Sequence, residues 1–460
     1  METGDIHVAF FVLIAAVAGL VCEAGAATIS VPGDFSTIQD AINAANDGDE
    51  IVIGPGTYTG DLQVPAKSIT LRSSDPNDPG IVASTVIESN LAVAIRVLST
   101  GMAPVVIEGL TITGGDAATG GGINVSSSTV FVRRCVLTEN NAIDGGAIGV
   151  LLNSSVVCEA CIIQDNTASE DGGALSCDGG SKVVFVDCTV TCNFAGDDGG
   201  AIQSSGEVEF RETMIMENSA GGDGGGIFNN GDLLLLNVVL AKNTADGFGG
   251  GMFSFSPGPP PNTDDVRIVN STIAGNSALF DAGGAGVDAS FMPLISNTLS
   301  WGNSPNGLIV GFSGADVSHC LVQPDGPFGP GNFSLDPLFV DPAACDFRLQ
   351  PDSPAIDAGL NSLINSIDTV LTDIDGNPRF VDGDPMRGED AIVDIGAYEF
   401  QNAIVCAGDC DANGTVDFND LVAMLFEFGV SDDGRCDADG SGAVDFNDLV
   451  AALFAFGPCP

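Results

Sequence analysis

The chain has 460 residues, 44% of them hydrophobic, which excludes a disordered polymer and leaves room for two or three domains with a sizeable core. A formal charge of -49, from 62 acidic against 13 basic residues, disfavours nucleic acid and anionic membrane surfaces and favours calcium and neutral or cationic partners. The 61 glycines, with one tryptophan and two tyrosines, depart from average globular usage and point to internal repetition.

Residues 8–22, VAFFVLIAAVAGLVC, form an apolar run of signal-peptide length, and AGA at 24–26 supplies small residues for cleavage, so 1–27 is expected to be a signal peptide. The leading METGDIH departs from that pattern in having no Lys or Arg. No later segment is long and apolar enough to span a bilayer, and the expected location is secreted, extracellular or at the cell surface. With Cys22 removed, the remaining cysteines are even in number and pairable in an oxidising compartment.

Residues 34–58, DFSTIQDAINAANDGDEIVIGPGTY, predict a short amphipathic helix around Ile38, Ala41, Ile42 and Ala45 that caps a core, with PGTY turning into the first turn of a solenoid. This stretch is similar to the entry of right-handed β-helix proteins of the pectin-lyase-like superfamily.

A repeat fills the middle of the chain. Glycine pairs recur at Gly121, Gly145, Gly172, Gly199, Gly225, Gly250 and Gly283, and an asparagine marks each unit at Asn140, Asn166, Asn193, Asn218, Asn243, Asn276 and Asn303. Such periods predict a solenoid. Ten and eight residues before each asparagine stand apolar pairs: Val130 and Val132, Val156 and Cys158, Val183 and Phe185, Val208 and Phe210, Leu233 and Leu235, Val266 and Ile268. Their period of two marks an inward strand face. Six residues before it, Arg134, Ala160, Asp187, Glu212, Asn237 and Asn270 suit a bend, and three before it Leu137, Ile163, Val190, Ile215, Leu240 and Ile273 point inward again. Each unit reads as two or three short strands that cannot bury their own face, so neighbours stack in parallel. The asparagines are expected to form a ladder. Cys135, Cys161 and Cys188, at one offset, are expected to form a stack of core thiols, and SPGPPPNTDD at 256–265 reads as a protruding loop.

The GGAI elements at 145–148 and 199–202, with an apolar-x-x-Asn element, resemble the repeats of chlamydial polymorphic outer-membrane proteins, with Leu, Ile or Val where that family has Phe. The block DPLFVDPAACDFRLQPDSPAIDAG at 336–359, with DIDGNPRF and DIGAYEF, is similar to the closing segment of secreted bacterial β-helix proteins. These resemblances imply an all-β, right-handed parallel β-helix over residues 28–400.

Such folds host lyases, hydrolases, esterases and adhesins, so activity has to be sought in residues. A lyase acting on uronates needs a basic residue and positive charge against the substrate carboxylate, but Arg133, Arg134, Lys182, Arg211, Lys242 and Arg267 do not share one offset. A polygalacturonase-like set is incomplete: NTD occurs at 262–264, but with only His7 and His319 there is no GHG, and an esterase-like Arg-Pro-Trp element is absent. The best acidic row is Asp144, Asp171 and Asp198, flanked by Glu170 and Asp197. On neighbouring turns these carboxylates would lie about 5 Å apart, which suits a glycosidase-like pair, a shared cation or a solvated turn. Asp144, Asp171, Asp197 and Asp198 are therefore the candidate catalytic residues.

After Gln401, DCDANGTVDFND at 409–420 and DADGSGAVDFND at 437–448 match a calcium-loop template twice in register. The expected Ca2+ ligands are Asp409, Asp411, Asn413, the Thr415 carbonyl, Asp417 and Asp420, then Asp437, Asp439, Ser441, the Ala443 carbonyl, Asp445 and Asp448, with Gly414 and Gly442 at the sharp turns. Each loop leads into an apolar helix. The duplication, with Asp at the twelfth position, resembles the dockerin family and implies a small α-helical, EF-hand-like domain over 401–460 that binds calcium and docks onto a cohesin-type protein. Phe418-Asn419 and Phe446-Asn447 replace the family's small hydroxyl pairs, so a calcium-stapled tail stands beside docking. Cys406, Cys410, Cys436 and Cys459 allow two bridges in one of three pairings.

The resulting expectation is an exported β-helix protein that binds extracellular polysaccharide or mediates adhesion. The alternatives are a polysaccharide-degrading enzyme, either a pectate-lyase-like lyase or a glycoside hydrolase acting on O-glycosyl bonds, and a purely structural envelope protein.

Overall fold

The computed structural model describes residues 26–100, 103–255, 266–287, 293–310, 315–323, 329–361, 371–381, 392–401, 408, 410, 415–426, 428, 436 and 443–458. Residues 1–25, most of the stretch read as a signal peptide, and 256–265, read as a protruding loop, lie outside them.

Each repeat makes one turn of a four-sided solenoid. In one turn the strands are Lys182–Val186, Thr189–Thr191, Phe194–Ala195 and Ile202–Ser204. Successive turns pair in parallel and in register, as Val156, Val183 and Val208 do, building sheets of 12, 11, 7 and 10 strands. Four strands per turn replace the two or three expected. The extra one is the two-residue segment in the seven-stranded sheet, too short for alternation to reveal and held by the turns on either side.

The inward rows are buried as their period requires. None of the twelve residues from Val130 to Ile268 at the two strand positions exceeds 2% exposure, and Leu137, Ile163, Val190, Ile215, Leu240 and Ile273 are fully buried. The bend row is left-handed throughout: Arg134, Ala160, Asp187, Glu212, Asn237 and Asn270 have φ between 49° and 53°. Residues outside glycine adopt this region at a cost of about 1–2 kcal/mol each, which the stacking on both sides must offset.

The asparagine ladder, which stitches each turn to the next, forms as expected. Nδ2 of Asn140, Asn166, Asn193, Asn218, Asn243 and Asn276 donates to Oδ1 of the next asparagine at 2.9–3.0 Å. The same Oδ1 accepts the backbone N–H of the preceding ladder residue, and Nδ2 also donates to carbonyls such as Leu137 O and Gln164 O. Cys135, Cys161 and Cys188 are buried free thiols, and burial pushes the Cys135 and Cys188 thiols well above their ordinary pKa.

The glycine row needs a correction of register. Strand pairing aligns Ile123, Ile148, Leu175, Ile202, Ile227 and Met252, so the equivalent first glycines are Gly120, Gly145, Gly172, Gly199, Gly224 and Gly249, all with φ of 64–70°. Gly121, Gly225, Gly250 and Gly283 belong to the second position. There a side chain would collide with the next turn: a Cβ on Gly173 would lie 2.2 Å from Gly200 O.

At the entry, helix Ile38–Ala44 buries Ile38, Ala41 and Ile42, with Ala45 buried beside them, as a cap must. Thr37 accepts Asp40 N–H at its start, and Lys67 Nζ donates to the carbonyls of Ile42, Asn43 and Ala45 at its end. A second short helix, Pro79–Ser84, was not legible in the sequence.

The closing segment folds back along the outside of the eleven-stranded sheet. Phe339–Asp341 pairs antiparallel with Asp346–Leu349, and Phe347, Ile395 and Tyr398 pack with Val239, Ala274 and Leu299 of that sheet. DIDGNPRF and DIGAYEF bring Asp373, Arg379, Asp394 and Glu399 into one buried charged knot, each no more than 4% exposed. Arg379 donates to the carbonyls of Asn270 and Gly396 and lies 3.6 Å from Glu399. Burial pushes Asp394 up to about 7 and Glu399 up to about 9, the latter also opposed by the Asp394 carboxylate.

In the C-terminal segment, helices Phe418–Phe426 and Phe446–Phe454 share a small core of Val416, Met424, Val444 and Ala452. Thr415–Val416 pairs antiparallel with Gly457–Pro458. Cys410 and Cys436 are bonded, which selects one pairing; Cys406 and Cys459 lie outside the described residues.

Candidate functional site

The corner between the seven-stranded and ten-stranded sheets carries the acidic row. The residue before each first glycine turns outward, and in register these residues are Thr119, Asp144, Asp171, Asp198, Asp223, Phe248 and Asp281. The structure thus brings Asp144, Asp171 and Asp198 together as expected and adds Asp223, hidden in sequence because GGDGGG offers two registers for its glycine pair. Asp197 and Glu170 stand beside the row and are exposed.

Four of these carboxylates each accept a backbone N–H from the next turn, while Asp281 accepts that of Ala282 beside it. Asp144 Oδ1 takes Asp171 N–H at 3.4 Å, Asp171 takes Asp198 at 3.1 Å, Asp198 takes Asp223 at 2.7 Å, and Asp223 takes Phe248 at 2.7 Å. The row is therefore half structural, since it stitches turns together, and half functional in potential, since it remains partly open to solvent. Burial raises Asp171, as do the charges of Asp144, Asp197 and Glu170. Burial, followed by Asp197, Asp223 and Asp171, pushes Asp198 up to about 6. A carboxyl poised there can give a proton near neutral pH. Among the described residues, no three His, Cys, Asp or Glu side chains converge as a metal ion would need.

Beside this row runs the outer face of the ten-stranded sheet, with Arg96, Asn124, Gly149, Ser176, Gln203, Phe228 and Phe253 in register. Ser176 Oγ donates to Gln203 Oε1 at 3.2 Å. The two rows make a straight flank, about 4.8 Å per turn, polar over its first turns and aromatic where Phe248, Phe228 and Phe253 replace the acids and amides.

Five of the six repeat cations singled out in the sequence are engaged elsewhere. Arg133 meets Glu159 at 3.0 Å, Arg134 meets Glu108 at 2.5 Å, Lys182 meets Glu207 at 2.5 Å, and Arg211 pairs with Glu209. Lys242 Nζ donates to Ala343 O at 2.6 Å. Arg133 and Arg211 share a register position three turns apart, as the spacing required. The NTD of 262–264 lies outside the described residues.

In the C-terminal segment, Asp409, Asp411, Asn413, Asp437, Asp439 and Ser441 also lie outside the described residues. The two helix starts that follow match each other. Asp420 Oδ2 accepts Asp417 N–H at 2.7 Å and Asp448 Oδ2 accepts Asp445 N–H at 2.6 Å, while Asp417 and Asp445 each accept an asparagine N–H at 2.6 Å. Asp420 and Asp448 are fully buried. Thr415 and Ala443 supply backbone just before them. Duplicated exposed apolar residues stand at both ends of the two helices, Phe418 and Phe446 at 71% and 70% at the starts, Phe426 and Phe454 at 86% and 90% at the ends.

The fold and its flank define a right-handed parallel β-helix: the family model for the right-handed β-helix region matches residues 72–233. The chain is similar to the crystal structure of pectate lyase Pel9A, at 15% identity and a TM-score of 0.54, covering 82% of this chain and 97% of that one. It also overlaps a rhamnogalacturonan lyase at 13% identity and a TM-score of 0.33, covering 69% and 91%. The first likeness carries the fold only, and the second carries no argument. No curated protein matches the chain. No helix among the described residues is long and apolar enough to cross a membrane.

Proposed function

We propose that this is an exported β-helix protein that binds extracellular polysaccharide along the corner flank. The observation that carries this reading is the continuity of the two outward rows. Carboxylates and amides on consecutive turns give way, without a break in register, to phenyl rings, of which Phe248 is exposed and Phe253 half-buried, a surface suited to an extended chain bearing hydroxyls and apolar ring faces. Arg133, Arg134, Lys182 and Arg211, cations of the kind a uronate lyase would need, are ion-paired on other faces, and Arg96 stands on the flank, turns away from its aromatic end.

One observation favours a second reading. Asp198, pushed up to about 6 between Asp171 and Asp223, has the character of a general acid, and a neighbouring carboxylate would complete a glycoside hydrolase pair. Incubating the full chain with a glycan panel, with and without calcium, separates the two by bound fraction, new reducing ends and unsaturated products. Binding without products supports the first reading; products lost in Asp198→Asn support the second.

The C-terminal segment is proposed as a dockerin-like calcium module. Asp409, Asp411, Asn413, Thr415, Asp417 and Asp420 would hold one ion, and Asp437, Asp439, Ser441, Ala443, Asp445 and Asp448 the other. The support is the donor chemistry together with two identical, buried position-twelve aspartates, Asp420 and Asp448. Bound calcium would neutralise those carboxylates and tie each loop to its helix. The duplicated Phe418/Phe446 and Phe426/Phe454 face is the proposed docking surface for a cohesin-like partner. Titration of the full chain showing no calcium uptake would remove the module from the account.

A further inference from the structure

Resting on the polysaccharide reading, we infer that the phenylalanine cluster at the C-terminal end of the flank is a sugar-stacking platform and that its ligand is a neutral polysaccharide, not a polyuronate. Five rings gather on adjoining turns. Phe253 lies 6.3 Å from Phe228, 5.7 Å from Phe248 and 6.5 Å from Phe255, centroid to centroid, and Phe248 lies 5.5 Å from Phe280. Phe248, Phe255 and Phe280 are 41%, 40% and 62% exposed, so the cluster is not consumed by the core. Clustered exposed rings on a chain of charge -49 are a cost to solubility that a ligand would explain.

The position of the rings identifies the ligand. Phe248 occupies the acidic row itself, its N–H donating to Asp223 Oδ1 at 2.7 Å, and Asp281 follows on the next turn. A sugar ring laid on Phe248 or Phe253 would place its C–H face on the negative face of the aromatic ring and its hydroxyls within the range of carboxylate acceptors on both sides. Those carboxylates reject a second carboxylate, so a uronate polymer is selected against by like charge. The cation on this face among the described residues, Arg96, lies five turns from Phe228, about 24 Å away, too far to compensate. A lipid surface fits less well, because rings bordered by Asp223 and Asp281 would carry those charges into the headgroup layer.

The test is affinity electrophoresis of the full chain through gels holding neutral glucan, mannan or xylan, and through gels holding polygalacturonate. Wild type, the double variant Phe248→Ala/Phe280→Ala and the control Leu152→Ala, an exposed side chain on another corner, are compared, with circular dichroism confirming the fold of each. A neutral gel is expected to retard wild type and the control alike, and the double variant about tenfold less, equivalent to about 1.4 kcal/mol. Polygalacturonate retarding wild type as strongly, or a folded double variant retarded like wild type, would overturn the inference while leaving polysaccharide binding intact. Retardation by no gel would remove the polysaccharide reading and the inference with it. Ring-dependent flotation with phosphatidylcholine vesicles, without retardation, would replace the sugar by a lipid.

Discussion

Asn193→Ala is the sharpest probe of what holds the turns together. The side chain is 1% exposed. Its Oδ1 accepts Asn166 N–H at 3.0 Å and Asn166 Nδ2 at 2.9 Å, and its Nδ2 donates to Ile163 O and Thr191 O at 3.0 Å and to Asn218 Oδ1 at 2.9 Å. Truncation does not harm all partners equally. Asn166 Nδ2 keeps Leu137 O and Gln164 O, and Asn218 Oδ1 keeps Asn193 N–H. The Asn166 N–H loses its acceptor in a buried site, at about 1–3 kcal/mol for one orphaned group, and losing the three donated bonds adds about 1 kcal/mol or more. A destabilisation of about 2–4 kcal/mol is expected, read from the urea midpoint at unchanged slope, with faster hydrogen exchange at the Asn166 amide. A loss below about 0.5 kcal/mol with normal exchange at Asn166 would show that the ladder is incidental to the stacking.

Other consequences can be measured directly. Asp198 is raised above its unfolded value, so its contribution to stability is fully present below about pH 4 and is lost as pH rises through about 6; Asp198→Asn, which keeps the acceptor for Asp223 N–H, should flatten that loss and gain about 1 kcal/mol at pH 8 after allowance for solvent screening, and an unchanged pH profile would refute it. A Cβ in Gly173→Ala would lie 2.2 Å from Gly200 O, so this variant should lose more than about 3 kcal/mol or fail to accumulate, whereas Ser205→Ala at an exposed corner should express normally. Among the described free cysteines, the exposed Cys192 should alkylate in the native state while buried Cys135, Cys161 and Cys188 should not until the chain unfolds. Arg379→Met strips the guanidinium from Asp373, Asp394 and Glu399 and should cost about 3–5 kcal/mol locally, visible as new proteolytic cleavage in 336–400 with the repeats intact.

What the sequence made legible follows from how locally each feature is determined. The inward rows and the bend row were readable because stacking repeats the same burial at the same offset, and the asparagines because a buried amide ladder needs one amide on every turn. The fourth strand escaped because Phe194–Ala195 is too short to show a period. Asp223 escaped because three consecutive glycines made its offset ambiguous. The aromatic platform was invisible for another reason: Phe228 and Phe253 share one offset, but Phe248 and Phe280 sit at others, and the four meet only when two rows are wound side by side. The course of the closing segment was equally non-local, since Arg379 finds Asn270 O and Gly396 O across turns that sequence spacing does not relate.

The central claim, that an extended neutral glycan lies along consecutive turns of the flank, is tested most directly by calorimetric titration of the full chain with neutral oligosaccharides of increasing length. Affinity that climbs with each added sugar until several turns are spanned, then levels, with no product formed, is the predicted result. Affinity already saturated at a mono- or disaccharide, or oligosaccharides consumed during the titration, would contradict it.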